Sequence, residues 1–179
     1  MAASPETDLQ IRRVSTDDIP LIRSLADVVF RDTYRDILSP DQMAYMMDWM
    51  YSEESLQRQM LSDGHIYFIA AADGDPCGYV SVQPLGLQED GSYLFDLQKI
   101  YVLPGFQGLQ IGRRLFEHIC QFVRNAANGW PCRIELHVNR YNKAVDFYKH
   151  LGLEILRVGD FPIGHGYYMN DYIMGCTLQ

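Results

Sequence analysis

The stretch Leu97–Phe116, LQKIYVLPGFQGLQIGRRLF, decides how the rest of this chain is read. A short apolar strand runs through Ile100-Tyr101-Val102 into a proline-glycine turn, and a glycine-bearing loop then opens an amphipathic helix. A helix start exposes N–H groups that have no partner within the helix and carries roughly half a unit of positive charge. Phosphates bind there with little help from side chains. The order strand, loop, helix therefore predicts a phosphorylated ligand at Gln107–Arg113. Two nucleotide-binding patterns do not fit. The dinucleotide fingerprint needs G-x-G-x-x-G, and Gly105, Gly108 and Gly112 are spaced otherwise. A P-loop ends in Lys-Ser or Lys-Thr after its second glycine, and no such pair follows these glycines.

A second segment, Leu136–Leu153, reads LHVNRYNKAVDFYKHLGL. Together the two segments resemble the GNAT superfamily of acetyl-CoA-dependent N-acetyltransferases. The first is similar to that family's pyrophosphate loop, [QR]-x-x-G-x-[GA], placed after an aliphatic strand that ends in proline. The second is similar to its other signature, in which an asparagine (here Asn142) is followed by alanine, a Phe-Tyr pair and Gly-Phe or Gly-Leu. The resemblance covers about residues 66 to 158. One position departs from the pattern: Gln110 stands where the family usually has its first loop glycine. Glycine there lets backbone approach phosphate closely, so Gln110 either crowds the ligand or replaces the lost contact with a side-chain amide donor.

Composition sets the frame. The chain has 179 residues, a length that suits one domain with a full core, and 47% apolar residues, too many for a disordered chain. One domain over residues 1–179 is expected. No apolar run follows Met1-Ala2-Ala3-Ser4-Pro5, so no signal peptide is expected. Apolar runs such as Tyr67–Ala72 are far too short to span a bilayer, and no membrane association is expected. Cys77, Cys120, Cys132 and Cys176 lack C-x-x-C spacing, and no H-E-x-x-H or similar pattern is present, which argues against a metal site. Scattered cysteines suit reduced thiols and a cytoplasmic location. The net charge of -8 disfavours nucleic acid, whose binding rests on Lys and Arg, and suits a cationic substrate as well as plain solubility.

The pattern along the chain predicts a strand at Leu9–Val14, a helix at Ile19–Phe30 capped within Ser15-Thr16-Asp17-Asp18, a helix starting at Ser39-Pro40-Asp41, and another at Glu53–Leu61. Strands follow at Ile66–Ala72 and Gly78–Pro84, joined by the hairpin signal Asp73-Gly74-Asp75-Pro76, then at Ser92–Val102. The helix after the loop carries Ile111, Leu115, Ile119, Phe122 and Val123 on one face. A strand at Arg133–Val138, a helix at Lys143–Leu151 stopped by Gly152, and strands at Leu153–Val158 and Tyr167–Cys176 complete the chain. This order is the one the GNAT resemblance implies: an α+β fold in α/β/α layers, with a mixed, mostly antiparallel central sheet flanked by helices.

The resemblance also implies a chemistry. Acetyl-CoA is the cosubstrate, held by Ile100 and Val102 on the strand, by Gln107, Gly108, Gln110, Ile111, Gly112 and Arg113 in the loop and first helical turn, and by Asn139 and Asn142. Either asparagine also reads as a turn or cap residue. A main-chain N–H near Val102 is the expected oxyanion donor. Tyr148, of the Phe-Tyr pair, is the expected general acid; a phenol of ordinary pKa near 10 stays protonated at neutral pH. Its helix stripe with Ala144, Phe147 and Leu151 also reads as core. Asp96 stands where many family members carry a glutamate base, with Gln98 on the same face; a water relay is the alternative. The acceptor is expected to be an amine of a small molecule or polyamine. A protein N-terminus or lysine is a second reading, and a non-catalytic acyl-CoA sensor a third.

Acceptor choice is expected in the N-terminal third and the last hairpin. Phe30, Tyr34, Tyr45, Trp49 and Tyr51 lie among Asp32, Asp36, Asp41, Asp48, Glu53 and Glu54, a mixture that suits a cation. This segment is similar to the helical cap of small bacterial GNAT proteins resembling polyamine acetyltransferases. The glycine- and aromatic-rich run Asp160–Asp171, DFPIGHGYYMND, is read as a loop that covers the acceptor site or joins two copies in a homodimer.

Overall fold

A computed structural model describes residues 6–179; Met1–Pro5, on which the expectation of no signal peptide partly rests, lie outside the described residues. The elements are β1 (Leu9–Arg13), α1 (Ile19–Tyr34), α2 (Pro40–Tyr51), α3 (Glu53–Leu61), β2 (Ile66–Ala72), β3 (Asp75–Leu87), β4 (Tyr93–Val102), α4 (Ile111–Ala127), β5 (Cys132–Asn139), α5 (Ala144–His150), β6 (Glu154–Gly164) and β7 (Tyr167–Leu178). The strands form one sheet in the order β1-β2-β3-β4-β5-β7-β6. Among the described residues the β4–β5 pair is parallel; the other neighbours are antiparallel.

Alternate residues of the strands feed two cores, one on each face of the sheet. On one face α4 buries Ile111, Leu115, Ile119 and Val123 against Val80, Val82, Phe95, Leu97, Ile134 and Leu136. On the other, α1 and α2 bury Ile22, Val29, Phe30, Met43 and Met46 against Tyr67, Ile69 and Tyr79. Each such aliphatic side chain contributes about 1.5–3 kcal/mol by leaving water, so both helical layers are held by the sheet they cover. The result is the expected layering of helices, mixed sheet and helices.

Several local details differ from the sequence expectation. Ser15 caps a short 3-10 turn, Thr16–Asp18, in a reciprocal box with Asp18, and α1 itself starts after that turn and runs on to Tyr34. The β2–β3 hairpin turns at Asp73 and Gly74, both at positive φ (49° and 88°) as a two-residue type I′ turn requires. The run Asp160–Asp171 is not a loop. Asp160, Phe161 and Pro162 pair with Asn170, Met169 and Tyr168, so β6 and β7 continue as a hairpin that turns only at Gly164–Gly166. His165 and Gly166, at φ 53° and 75°, supply the positive φ that the two-residue turn needs.

Two irregularities of β4 shape the region beside α4 and β5. Ser81 pairs with Lys99 and Val82 with Leu97, so Gln98 is an extra, unpaired residue, a β-bulge. Phe95, Leu97, Ile100 and Val102 all belong to the α4 core. The bulge therefore places Asp96, Lys99 and Tyr101 together on the opposite face. Second, β4 pairs with β5 only from Tyr93–Asp96 against Cys132–Glu135. Beyond that point the two strands separate.

Lys99 sits inside the α1–α3 core at 7% exposure. Its Nζ donates to Gln59 Oε1 at 3.0 Å and lies 5.5 and 5.3 Å from the ring centres of Tyr51 and Tyr67. Burial pushes its pKa down to about 7, against the pull of Asp96. The unfolded chain keeps this proton up to about pH 10, so folded Lys99 releases a proton that the unfolded chain holds. Stability must rise with pH across that window, by several kcal/mol at about 1.4 kcal/mol per pKa unit. Lys99→Met removes the effect. Thermal unfolding should show the largest gain of the variant over wild type near pH 6–7, shrinking toward pH 10. A difference independent of pH contradicts the buried amine.

Candidate active site

The loop before α4 is built around backbone conformation. Gly108 has φ +83°, open only to glycine without strain, and Gln110 takes the left-handed conformation at φ 63°. Gln110 is the N-cap of α4 but makes no side-chain cap bond, and no acidic side chain lies in the first turn. The leading amides of α4 and its dipole are thus left to an anion. Gly112 has a different reason. A Cβ there would meet Phe147 Cζ at 3.1 Å, so the glycine lets α4 pack on α5. Ile111 is buried and fixes the helix start, while Gln107, Arg113 and Arg114 are exposed beside it. Gln107 Nε2 donates to Val102 O at 3.3 Å, which ties the loop to the end of β4.

The separated strands supply a second set of free backbone groups. Leu103 N donates to Cys77 O at 2.8 Å. Antiparallel bonding alternates along a strand, so Val102 and Ile100 turn their N–H and C=O groups away from β3 and into the gap beside β5. Tyr148 comes from α5, the helix that follows β5. It is packed in the α4 core at 7% exposure, yet its phenol lies near those of Tyr34 and Tyr101, which belong to the opposite core. Burial pushes the Tyr148 pKa up, which keeps its proton in place. Tyr34 and Tyr101, of the opposite core, share a hydroxyl contact of 3.2 Å.

Asp96 faces the same opening from β4. Burial pushes its pKa up to about 6, with Glu135 adding to the rise and His137 and Lys99 opposing it. Gln98 Nε2 donates to Asp96 Oδ2 at 2.8 Å, so the bulged residue orients the carboxylate. Asn139 and Asn142 both carry local backbone: Asn139 Oδ1 accepts from Tyr141 N at 3.0 Å, and Asn142 Oδ1 from Ala144 N at 2.9 Å. Asn139 also lines a small cavity on the α1–α2 side of the sheet.

Sequence reasoning misses two residues of this face. His137 projects from β5 and Asp171 from β7, with His137 Nδ1 3.5 Å from Asp171 Oδ2. That carboxylate raises the His137 pKa, and Asp96 adds to the rise. His137 stands inside the second motif, but only the β5–β7 register, which sets it opposite Ile173, brings it near Asp171. The N-terminal cluster of aromatics and acids divides in the structure. Tyr34 reaches the site, whereas Phe30 and Tyr51 are core residues and Trp49 is exposed. Asp32, Asp36, Asp41, Asp48, Glu53 and Glu54 all point to solvent, so they do not form an acidic pocket with the aromatics.

A sheet opened between two strands, with free amides along one wall and an uncapped helix start at its mouth, offers backbone donors to an extended ligand that ends in a phosphate. Residues 63–155 match the family model described as an acetyltransferase (GNAT) domain. The chain is 26% identical over 88% of its length to an uncharacterized N-acetyltransferase from the pepI 3′ region of Lactobacillus delbrueckii subsp. lactis, covering 91% of that protein. Its fold is similar to PaiA N-acetyltransferase of Thermoplasma acidophilum in complex with coenzyme A, with a TM-score of 0.73 at 21% identity over 94% of this chain and 98% of that one. It is also similar to the ribosomal-protein-S18-alanine N-acetyltransferase of Escherichia coli, with a TM-score of 0.67 at 18% identity over 96% and 95% of the two chains. The chain belongs to the GNAT family of acetyltransferases, whose acyl donor is acetyl-CoA.

The residues fit that donor. The uncapped start of α4, free of acidic side chains, suits a pyrophosphate, and the Ile100 backbone and Val102 N–H, turned away from β3, suit the amides of a pantetheine arm. Gln110 points its side chain to solvent and contributes no cap. A non-glycine residue in this conformation carries about 1–2 kcal/mol of strain. Gln110→Gly should keep stability within about 1 kcal/mol of wild type, since flexibility of the unfolded chain offsets the relieved strain. It should leave coenzyme A affinity equal or tighter in calorimetry. A tenfold loss would make the Gln110 side chain a ligand contact.

Proposed function

We propose that the protein moves the acetyl group of acetyl-CoA directly onto an amine of a small molecule, with Asp96 as base and Tyr148 as acid. The donor supplies a thioester carbonyl activated toward amines. Asp96 takes the amine's proton, directly or through one water, as the new N–C bond forms. The Val102 N–H donates to the carbonyl oxygen as negative charge gathers there. Tyr148 gives its proton to the sulfur as the C–S bond breaks.

The observation that carries this reading is that Tyr148 and Asp96 are both buried with raised pKa, while Asp96 ends the paired stretch of β4 and β5. A protonated phenol and a carboxylate with pKa about 6 beside one opening suit acid and base work near neutral pH. The acceptor's size is argued from the β6–β7 hairpin. Tyr45 Oη donates to Ile163 O at 2.6 Å and Gln42 Nε2 to Tyr168 O at 3.0 Å, while the Tyr45 ring packs on His165 and Tyr167. A hairpin fastened to α2 narrows the acceptor side of the sheet. This favours a small amine over a folded protein, although the similar Escherichia coli enzyme is named for an alanine of a ribosomal protein.

Release of free coenzyme A thiol from acetyl-CoA, followed with spermidine, aminoglycosides and lysine-bearing peptides, tests the reading. Turnover with a small amine supports it, turnover with peptides alone replaces it with a protein acetyltransferase, and tight coenzyme A binding without turnover replaces it with a sensor. Tyr148→Phe should lower kcat by about 10²–10⁴-fold with coenzyme A affinity nearly unchanged; an unchanged kcat removes the acid role. Wild-type kcat/KM should fall as pH drops through about 6, where Asp96 becomes protonated and stops accepting. Asp96→Asn should abolish that acidic limb along with most activity. A surviving limb in the variant assigns the base elsewhere.

A further inference from the structure

Asp171 is 2% exposed, and its Oδ2 has no hydrogen-bond partner among the described residues. A buried carboxylate without a donor costs the fold several kcal/mol, and substitution by an amide would remove the charge at little change of shape. The nearest cation-forming group is His137, but 3.5 Å is longer than a hydrogen bond, and the His137 side chain is 40% exposed. Most other charged groups of this face have partners of their own, and Asp96 accepts from Gln98. Glu135 is paired with Arg133 and Arg157, both at 3.2 Å, and Arg140 with Asp160. Lys99 is spent on Gln59.

The Asp171 carboxylate lines a cavity of about 30 Å³ together with Tyr34, Met46, His137, Asn139 and Tyr168. Such a space admits one group the size of a water molecule, which is also the size of an ammonium head. Among the described residues no lysine or arginine lines it, and two tyrosine rings do, as a cation prefers. Its lining takes nothing from β4, α4 or α5, the elements that carry Asp96, the donor loop and Tyr148. Its lining is therefore separate from the groups proposed to act on the reacting amine.

We propose that this cavity seats a second ammonium group of the acceptor on Asp171, so that the preferred substrate is an alkyl diamine or longer polyamine. The inference rests on the proposed acetylation of small amines. One amine stands at the opening between β4 and β5 and is acetylated, while the other stays charged beneath the β6–β7 hairpin. A charge-assisted hydrogen bond to a buried carboxylate contributes about 1.5–3 kcal/mol, equivalent to a preference of at least tenfold.

The test compares 1,4-diaminobutane with n-butylamine, which share a carbon chain and differ in the second charge. Calorimetry with the protein saturated in coenzyme A reads binding without turnover, and thiol release with acetyl-CoA reads kcat/KM. The expected result is at least tenfold tighter binding and higher kcat/KM for the diamine. Asp171→Asn should bring the diamine's binding down to the monoamine's level while leaving coenzyme A affinity unchanged. Equal treatment of both amines by the wild-type protein, with turnover intact, overturns the seat and leaves the transferase reading standing. A diamine preference that survives Asp171→Asn also overturns it, because the cavity then holds only water. Binding of coenzyme A without turnover of either amine overturns both.

Discussion

Parallel pairing between β4 and β5 stops after Asp96 and Glu135, and the site arises from that interruption. A continuous sheet would consume the backbone groups of Ile100 and Val102 in its own ladder. Unpaired backbone inside a protein is costly unless something else satisfies it. A ligand rich in amides and phosphates lying along this edge, as the proposed binding of acetyl-CoA requires, would offset that cost. The same opening lets the α4 start, which stands directly after β4, share one ligand with the strand.

The bulge at Gln98 is the second constraint, and it acts through the side-chain period of a strand. Without an extra residue, Asp96 and Tyr101 would stand on opposite faces, since they are an odd number of positions apart. With it they share the face that meets α1 and α2. Burial on that face raises the Asp96 pKa and lowers that of Lys99, so one structural irregularity both places the carboxylate and tunes it. The β6–β7 hairpin, fastened to α2 through Tyr45 and Gln42, then bounds the space in front of it.

Much of this is legible in the chain because it is local. The apolar stripe of α4, the glycine stop at Gly152 and the Asp73-Gly74 turn are set by neighbouring residues, and the loop motif Gln107–Gly112 is contiguous. The features hidden in the sequence depend on register between distant segments. Asp160–Asp171 reads like a loop because its glycines and proline are frequent in turns, yet pairing between β6 and β7 overrides that preference. The acids of the N-terminal third read like a pocket because they lie among aromatics in sequence; helical geometry turns the acids outward and most of the aromatics inward. His137 and Asp171 are far apart in the chain, and only the β5–β7 ladder brings them together. Gln110 is visible as a departure from the loop pattern, but its left-handed backbone is a property of the folded loop.

One donor molecule must occupy both the free edge of β4 and the start of α4 if the interrupted sheet is the origin of the site. Hydrogen–deuterium exchange resolved to single amides, with and without acetyl-CoA, tests this most directly. Slower exchange on binding is predicted at Ile100 and Val102 and at Ile111–Arg113, with little change along β1 and β2. Saturating binding that leaves the Ile100 and Val102 amides exchanging as fast as in the free protein would contradict it.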